Sequence, residues 1–193
     1  MTRTTLYKGV YFAMFGSAAI LALGVLAYFQ FSPLAFLVVV VALLIPGRIL
    51  GYFWRDLLRG LRLLNAKDYV ASKVCSERFL VEVREKPWIR HFIWLGSSTY
   101  SRDPEVLALN NLGAAELALG EVDVARAHLE EAIAKDPLCP LPFFNLGALF
   151  KATGNVSESE RCFAEATRLG FRHGISDKIV RASQTRFAEM DGR

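Results

Sequence analysis

The second half of the sequence contains one passage twice, at a spacing of 34 residues. The matched positions are Asn111-Leu112-Gly113 with Asn145-Leu146-Gly147, Gly120 with Gly154, and Ala132 with Ala166. A repeat period between 20 and 50 residues is typical of proteins built from one supersecondary unit used several times in succession. The spacing therefore predicts two copies of one structural unit, over 106–139 and 140–171.

Glycine inside each copy indicates how that unit packs. Gly113 and Gly147 fall in the middle of predicted helices, where glycine costs about 1 kcal/mol relative to alanine. Its recurrence at one register predicts that a second helix crosses too closely to admit a side chain. The small residues expected on that second helix are Ala125, Ala132 and Ala166. Each copy is therefore expected to be a tightly crossed helical hairpin.

Helix ends follow the same period. Gly120 and Gly154 are expected to end the first helix of each hairpin in the left-handed conformation. Asp136-Pro137 is expected to end a second helix, because proline disfavours helix in the residue before it. The pattern resembles the tetratricopeptide repeat, over about a third of the chain. The resemblance implies an all-α solenoid that serves as a protein-binding scaffold.

The first fifty residues are apolar. No charged residue lies between Lys8 and Arg48, and a membrane-spanning helix needs about 20 apolar residues, so this interval can hold two. Gln30-Phe31-Ser32-Pro33 interrupts it. We therefore expect a transmembrane hairpin over residues 1–54, with helices at 9–29 and 33–54.

Basic residues flank this hairpin on both sides, whereas its connecting turn carries none. The positive-inside rule then predicts a multi-pass protein of the bacterial inner (plasma) membrane, with both termini and the repeat domain in the cytoplasm. Arg48 allows two interpretations. It either snorkels to the headgroups from a short helix, or lies inside the bilayer and contacts an acidic residue of a membrane partner.

Residues 55–100 are expected to form a helical collar beside the membrane. Leucines at helical spacing predict that the second membrane helix continues to about Asn65. Its arginines, together with Arg48, are expected to contact anionic lipid: Arg55, Arg59 and Arg62. A helix from Asp68 to Arg84 is expected to complete a degenerate repeat, although the 34-residue spacing does not extend to it. A short helix is expected at Trp88–Leu95, and a capping helix at about 176–190 closes the 101–193 domain.

Charge and composition argue against other classes of function. Residues 1–100 hold 12 Lys/Arg and 5 Asp/Glu (+7), whereas residues 101–193 hold 11 and 14 (−3). The basic balance is therefore attributed to the collar and not to a nucleic-acid surface. The histidines lack metal-ligand spacing, and no phosphate-binding loop or nucleophile motif is present. We expect no enzymatic activity, cofactor or metal, and the three cysteines are expected to be reduced thiols.

The resemblance implies a groove lined by the first helix of each repeat, which takes a peptide or helix of a protein partner. By register, its residues are Leu107, Asn110, Asn111, Ala114 and Leu117 in the first copy and Leu141, Phe144, Asn145, Ala148 and Lys151 in the second. Phe144 is expected to be the exposed anchor and Phe143 to face the core. Asn111 and Asn145 have two interpretations, ligand contact or packing.

The sequence thus predicts a membrane-anchored scaffold that recruits or aligns a protein partner in a membrane assembly. An alternative is an integral accessory subunit, whose hairpin and Arg48 make the main contacts while the repeats only stabilise it.

Overall fold

Regular structure in this protein is entirely helical over the residues that the computed structural model describes, which are 3–28, 33–95 and 100–171. The helices are α1 (Arg3–Tyr28), α2 (Pro33–Phe53), α3 (Arg55–Asn65), α4 (Tyr69–Glu85), a 3-10 helix (Pro87–Leu95), α5 (Pro104–Leu119), α6 (Val122–Lys135), α7 (Pro140–Ala152) and α8 (Val156–Arg168). The predicted all-α class is confirmed. The predicted capping helix at 176–190 lies outside the described residues.

The prediction that α2 continues to Asn65 is wrong. The chain bends by 72° between the segments Leu37–Phe53 and Arg55–Asn65. Trp54, at the bend, leaves the helical conformation and is 2% exposed, with its ring 6.4 Å from that of Phe79. Burying this indole in the core of the repeat domain turns the chain away from the axis of α2.

Within the described ranges, no single helix combines the length and the apolar character needed to cross a bilayer. The bent pair of Leu37–Phe53 and Arg55–Asn65 meets both criteria only when its two segments are taken together.

Between Arg55 and Arg168, the described α-helices pair in order into three hairpins. Hairpin one is α3 with α4, hairpin two is α5 with α6, and hairpin three is α7 with α8. Successive hairpins stack, because α4 packs against α5 and α6 packs against α7. The first helices form a second row, in which α3 contacts α5 and α5 contacts α7.

A glycine marks the closest crossing in each hairpin. A Cβ on Gly113 would lie 2.7 Å from Leu129 Cγ, and a Cβ on Gly147 would lie 2.9 Å from Phe163 Cδ1. The predicted close crossings are therefore confirmed. Gly60 occupies the equivalent place in hairpin one, where a Cβ would lie 3.0 Å from the Ser76 hydroxyl oxygen. That glycine lies 53 residues before Gly113, so the 34-residue spacing does not reveal it.

The second helix of each hairpin carries a small residue twelve positions after the crossing glycine. In hairpins one and three, a serine hydroxyl donates to the carbonyl oxygen of the crossing glycine. Ser72 donates to Gly60 at 2.8 Å, and Ser159 donates to Gly147 at 2.8 Å. Ala125 holds this position in hairpin two, where the predicted small residues Ala125 and Ala132 are fully buried. Each crossing thus pairs a glycine with a small residue.

A residue in left-handed backbone follows the first helix of each hairpin, seven residues after the crossing glycine. Gly120 has φ 84° and Gly154 has φ 80°, as predicted, and Lys67 has φ 65° at the same place in hairpin one. The following helices begin at capping residues. Asp68 accepts from the Ala71 amide at 3.1 Å, and Asn155 accepts from the Glu158 amide at 3.3 Å.

Two apolar clusters join the hairpins. The cluster between hairpins one and two includes Trp54, Leu57, Phe79, Val83, Ile89, Val106, Leu109 and Leu112. The cluster between hairpins two and three includes Leu117, Ala125, Leu129, Leu146, Ala148, Leu149 and Cys162. Burial of an aliphatic or aromatic side chain of this size contributes roughly 1.5–3 kcal/mol, so these clusters are the main force holding the stack together.

Candidate protein-interaction surfaces

The predicted groove residues lie together on α5 and α7, but most of them are buried. We call this set the inner face. Its members exposed by 5% or less are Asn110, Asn111, Ala114, Leu117, Phe144, Asn145 and Ala148. Leu107 and Leu141 are half-buried, and Lys151 is exposed. Among the described residues, most of the predicted groove lining therefore exposes little surface that a peptide could contact.

Asparagines on the inner face bond to one another. The Asn145 amide nitrogen donates to Asn110 Oδ1 at 2.8 Å, which ties α7 to α5. The Asn110 amide nitrogen lies 3.5 Å from Asn111 Oδ1, at the limit of a hydrogen bond. Buried amides are costly unless they are hydrogen-bonded. The Asn145 amide nitrogen thus has a packing role, whereas Asn145 Oδ1 is buried without a hydrogen-bond partner among the described atoms, so both interpretations stay open for Asn111 and Asn145.

The predicted orientations of Phe143 and Phe144 are reversed. Phe144 is 4% exposed, and its ring stacks on that of Phe171 with centroids 4.6 Å apart. Phe163 contacts the same ring at 5.3 Å. Phe143 is only half-buried and faces outward. The reason is Gly170, whose left-handed φ of 96° turns the chain back after α8 and lays Phe171 over Phe144.

A groove of about 600 Å³ runs along the opposite side of hairpins two and three. We call it the outer groove. Its floor is apolar and consists of Phe143, Leu146, Phe150 and Cys162, and its rim is charged and consists of Arg126, Glu130, Glu158, Arg161, Glu165 and Arg168, with Ala164 between them. An apolar centre with a polar rim is the usual anatomy of a protein interface.

The rim charges are paired with one another, and one of them covers part of the floor. Arg126 donates to Glu130 at 2.7 Å and its guanidinium lies 5.5 Å from the centre of the Phe150 ring. Arg168 donates to Glu165 at 2.6 Å on the opposite rim. Because these pairs are exposed, each contributes little to stability. Their side chains can instead change partners when another protein covers the floor.

A second, shallower surface lies along α4. It has a volume of about 450 Å³ and is lined by Val74, Glu77, Arg78, Val81, Glu82, Glu85 and Lys86. Its two valines are separated by charged side chains, so it offers less continuous apolar area than the outer groove.

Two ionisable side chains of α5, Glu105 and Glu116, are buried between hairpins one and two. Glu105 accepts from Arg84 at 2.7 Å and from Arg90 at 2.5 Å, and Lys135 lies 3.2 Å away. Burial alone would raise the pKa of Glu105, but the hydrogen bonds and charges of Arg84 and Lys135 outweigh it and hold that pKa below its ordinary value. Its partners come from α4, the 3-10 helix and α6, so this carboxylate ties several elements together.

Glu116 has fewer partners. His128 Nδ1 lies 2.8 Å from one carboxylate oxygen, and Lys73 Nζ lies 3.9 Å from the other. Lys73 is also paired with Glu121. Burial raises the pKa of Glu116 above its ordinary value, and the hydrogen bond and charge of His128 offset only part of that rise.

The residues predicted to touch the membrane lie at the surface. Arg48, Arg55, Arg59 and Arg62 are all exposed. Helices α1 and α2 also expose many large apolar side chains, among them Phe12, Met14, Ile20, Leu21, Leu34, Leu37, Val38 and Leu44. An apolar surface of this extent on adjacent helices is typical of a protein or membrane contact.

Cys75, Cys139 and Cys162 are buried thiols. In the part of the chain that the structure describes, no three His, Cys, Asp or Glu side chains are grouped so that they could hold a metal ion. No protein-family model matches this chain, and no curated protein or solved structure is significantly similar to it.

Proposed function

We propose that this protein is a membrane-anchored tetratricopeptide-like scaffold that holds a protein partner against a membrane assembly. The observation that carries the proposal is the shared register of the three hairpins. Gly60, Gly113 and Gly147 each mark the closest crossing, and each is followed seven residues later by a left-handed residue. Stacked hairpins with one register form extended surfaces that such proteins use for binding.

The outer groove is the surface we assign to the partner, in place of the inner face. Inner-face side chains are engaged with one another and with Phe171. Phe143 and Phe150, in contrast, are half-buried aromatic side chains at the floor of an open groove. Aromatic residues at the centre of an interface are frequent hot spots.

Membrane attachment is the second part of the proposal. Its support is the exposed apolar surface of α1 and α2 together with the absence of charge between Lys8 and Arg48. We place the anchor in a bacterial inner membrane, with the repeat domain on the cytoplasmic side, because basic residues flank the hairpin on both sides.

One observation favours an alternative function. Arg48 is exposed on α2, where the residues around it are apolar. A cation at such a position can pair with an acidic group of another membrane subunit. The chain would then be an integral accessory subunit held by its membrane hairpin, with the repeats as a stabilising domain.

Purification of the full chain from membranes in mild detergent tests the two functions against each other. Phe143→Ala and Phe150→Ala should each reduce partner recovery, because losing a hot-spot side chain costs about 2 kcal/mol, or roughly 30-fold in Kd. Val156→Ala is the matched control, since Val156 is an exposed apolar residue on α8 outside the groove. Thermal melting of each variant checks that the fold is intact.

Retention of every partner by both phenylalanine variants, with loss on Arg48→Ala, would favour the accessory-subunit function. Equal loss from Val156→Ala would remove the outer groove as the specific site.

A further inference from the structure

Helix α3 presents an unusual face to its surroundings. At 100° per residue, six exposed side chains fall side by side on an arc of about 160°. These are Leu61, Asn65, Leu58, Arg62, Arg55 and Arg59. Leu58 is 38% exposed and Leu61 is 43% exposed, whereas Leu57 on the same helix is buried.

The opposite side of α3 fixes this orientation. Leu57 and Gly60 are buried against α4, and the Gly60 carbonyl accepts a hydrogen bond from Ser72. Rotating α3 to hide Leu58 and Leu61 would break this crossing. The exposed leucines are therefore a fixed property of the fold.

Charge on this face is positive. Arg55 lies 3.6 Å from the carboxylate of its neighbour Asp56, at the flank of the arc. Arg62 donates from Nε to the Leu58 carbonyl at 3.3 Å. This contact is with a neutral group and does not neutralise the charge of the guanidinium. Three guanidinium groups thus lie beside two leucines on the same side of the helix, a combination suited to a surface that is anionic outside and apolar just beneath.

The bend at Trp54 sets the direction of this face. Because α3 departs by 72° from the axis of α2, it lies close to the plane of any membrane that α2 enters along its normal. Tyr52, next to the bend, is 72% exposed. Tyrosine is enriched at the membrane–water interface. The basic helix α3 thus follows the apolar helix α2 with only Trp54 between them.

We propose that α3 is an interfacial helix, which lies on an anionic lipid surface with Arg55, Arg59 and Arg62 at the phosphates and with Leu58 and Leu61 between the headgroups. Amphipathic helices with lysine or arginine on the polar side bind membranes in this way. The inference rests on the membrane anchoring in the proposed function. It adds that the repeat domain is held against the bilayer by its own first helix.

The test uses the full-length protein in lipid nanodiscs made of phosphatidylcholine alone or mixed with phosphatidylglycerol. Leu58→Cys carries an environment-sensitive fluorophore, and the buried native thiols limit background labelling. Lipids with a quencher in the upper acyl chain should quench this probe roughly threefold more in the anionic discs. Val81→Cys is the reference, because Val81 is 55% exposed on α4 and should stay in water in both lipids.

Replacing Arg55, Arg59 and Arg62 together with glutamine should remove the extra quenching, and replacing them with lysine should restore it. A Leu58 probe as accessible to water as the Val81 probe in anionic discs would overturn the proposal. Quenching that stays the same in the glutamine variant would also overturn it. A third contrary result is a glutamine variant that loses a bound protein while the Leu58 probe stays in water, because the arginines would then bind an acidic protein and not lipid.

A probe at Leu37→Cys, on the exposed side of α2, separates this inference from the anchoring on which it rests. Quenching at Leu37 without quenching at Leu58 rejects the interfacial helix alone. Absence of quenching at both positions rejects membrane anchoring as well.

Discussion

Glu105 and Glu116 lie on the same helix, and each side chain is 1% exposed. Their pKa values nevertheless shift in opposite directions, down for Glu105 and up for Glu116. The difference lies in their partners. Arg84, Arg90 and Lys135 surround the first carboxylate, whereas the second relies on His128 and on a more distant Lys73. Burial therefore dominates only where compensating charge is sparse.

These pKa shifts predict that the variants Glu105→Gln and Glu116→Gln differ from wild type in stability with opposite dependences on pH. Glu105 has a lowered pKa, so its ion pairs contribute stability above its ordinary value of 4.5, and this stability is lost as the pH falls through the folded-state pKa. Glu105→Gln should cost about 1.5–3 kcal/mol at neutral pH, and the difference from wild type should shrink in acid.

Glu116 has a raised pKa, so the folded state holds its proton more tightly than the unfolded state does. Its contribution is largest below its ordinary value of 4.5 and is lost as the pH rises through the folded-state pKa. Glu116→Gln should therefore gain on wild type as the pH rises from acid to neutral. Urea unfolding of both variants between acid and neutral pH measures these differences, and parallel curves for the two would show that the environments do not differ.

At the level of whole elements, the ends of the first helices share one hydrogen-bond pattern. The amide of the residue after the left-handed position bonds five residues back, from Asp68 to Leu63, from Glu121 to Glu116 and from Asn155 to Phe150. The amide of the left-handed residue itself bonds to the carbonyl three residues back, from Lys67 to Leu64, from Gly120 to Leu117 and from Gly154 to Lys151. These two hydrogen bonds together form the Schellman motif, which favours glycine at the left-handed position. Hairpin one carries Lys67 there, although a side chain disfavours that backbone.

Lys67→Gly should therefore stabilise hairpin one by about 0.5–1 kcal/mol. Lys67→Ala keeps the Cβ and removes the rest of the exposed side chain with its charge, so it should leave stability nearly unchanged. Gly120→Ala should have the opposite sign, because it places a Cβ on φ 84°. Chemical unfolding of the three variants in one detergent checks the series, and a gain from Lys67→Ala equal to that from Lys67→Gly would attribute the effect to charge.

Sequence periodicity predicted the elements that keep strict spacing and missed those that do not. The crossings at Gly113 and Gly147 followed from recurrence alone. The crossing at Gly60 was not predicted, because the 3-10 helix Pro87–Leu95 and the residues up to Pro104 separate hairpins one and two and interrupt the 34-residue period. Periodicity also could not place Phe171 over Phe144, because that contact depends on a turn beyond the last repeated helix.

Across the whole molecule, the described helices divide into a stacked part, which consists of the three hairpins α3–α8, and an apolar part, which consists of α1 and α2. The stacked part has two buried clusters and buried ion pairs between hairpins, so we expect it to unfold as a unit. The apolar part meets it through Phe53, whose ring lies 5.0 Å from that of Trp88, and through the bend at Trp54. Aromatic contacts thus help to set the orientation of the stack relative to α2.

The proposed topology can be measured on the whole protein in intact cells. A membrane-impermeant maleimide added outside should label Ser32→Cys, which the sequence predicts to lie in the turn of the proposed membrane hairpin, and should reach Val156→Cys only after the membrane is permeabilised. Val156 is 62% exposed on α8, so its side chain is accessible once the reagent can reach it. Labelling of Val156→Cys but not Ser32→Cys in intact cells would reverse the topology.

The cysteines give the protein an internal set of chemical reporters. Cys75 and Cys162 hold equivalent places, each fifteen residues after its crossing glycine, in hairpins one and three, and His128 holds that place in hairpin two. Burial raises the pKa of Cys162, so its thiol reacts slowly while the hairpin is closed. Reaction of each thiol with a small disulfide reagent then reports the free energy of local opening. Comparing Cys75 with Cys162 would show whether the stack begins to unfold at the end next to α2 or at the opposite end.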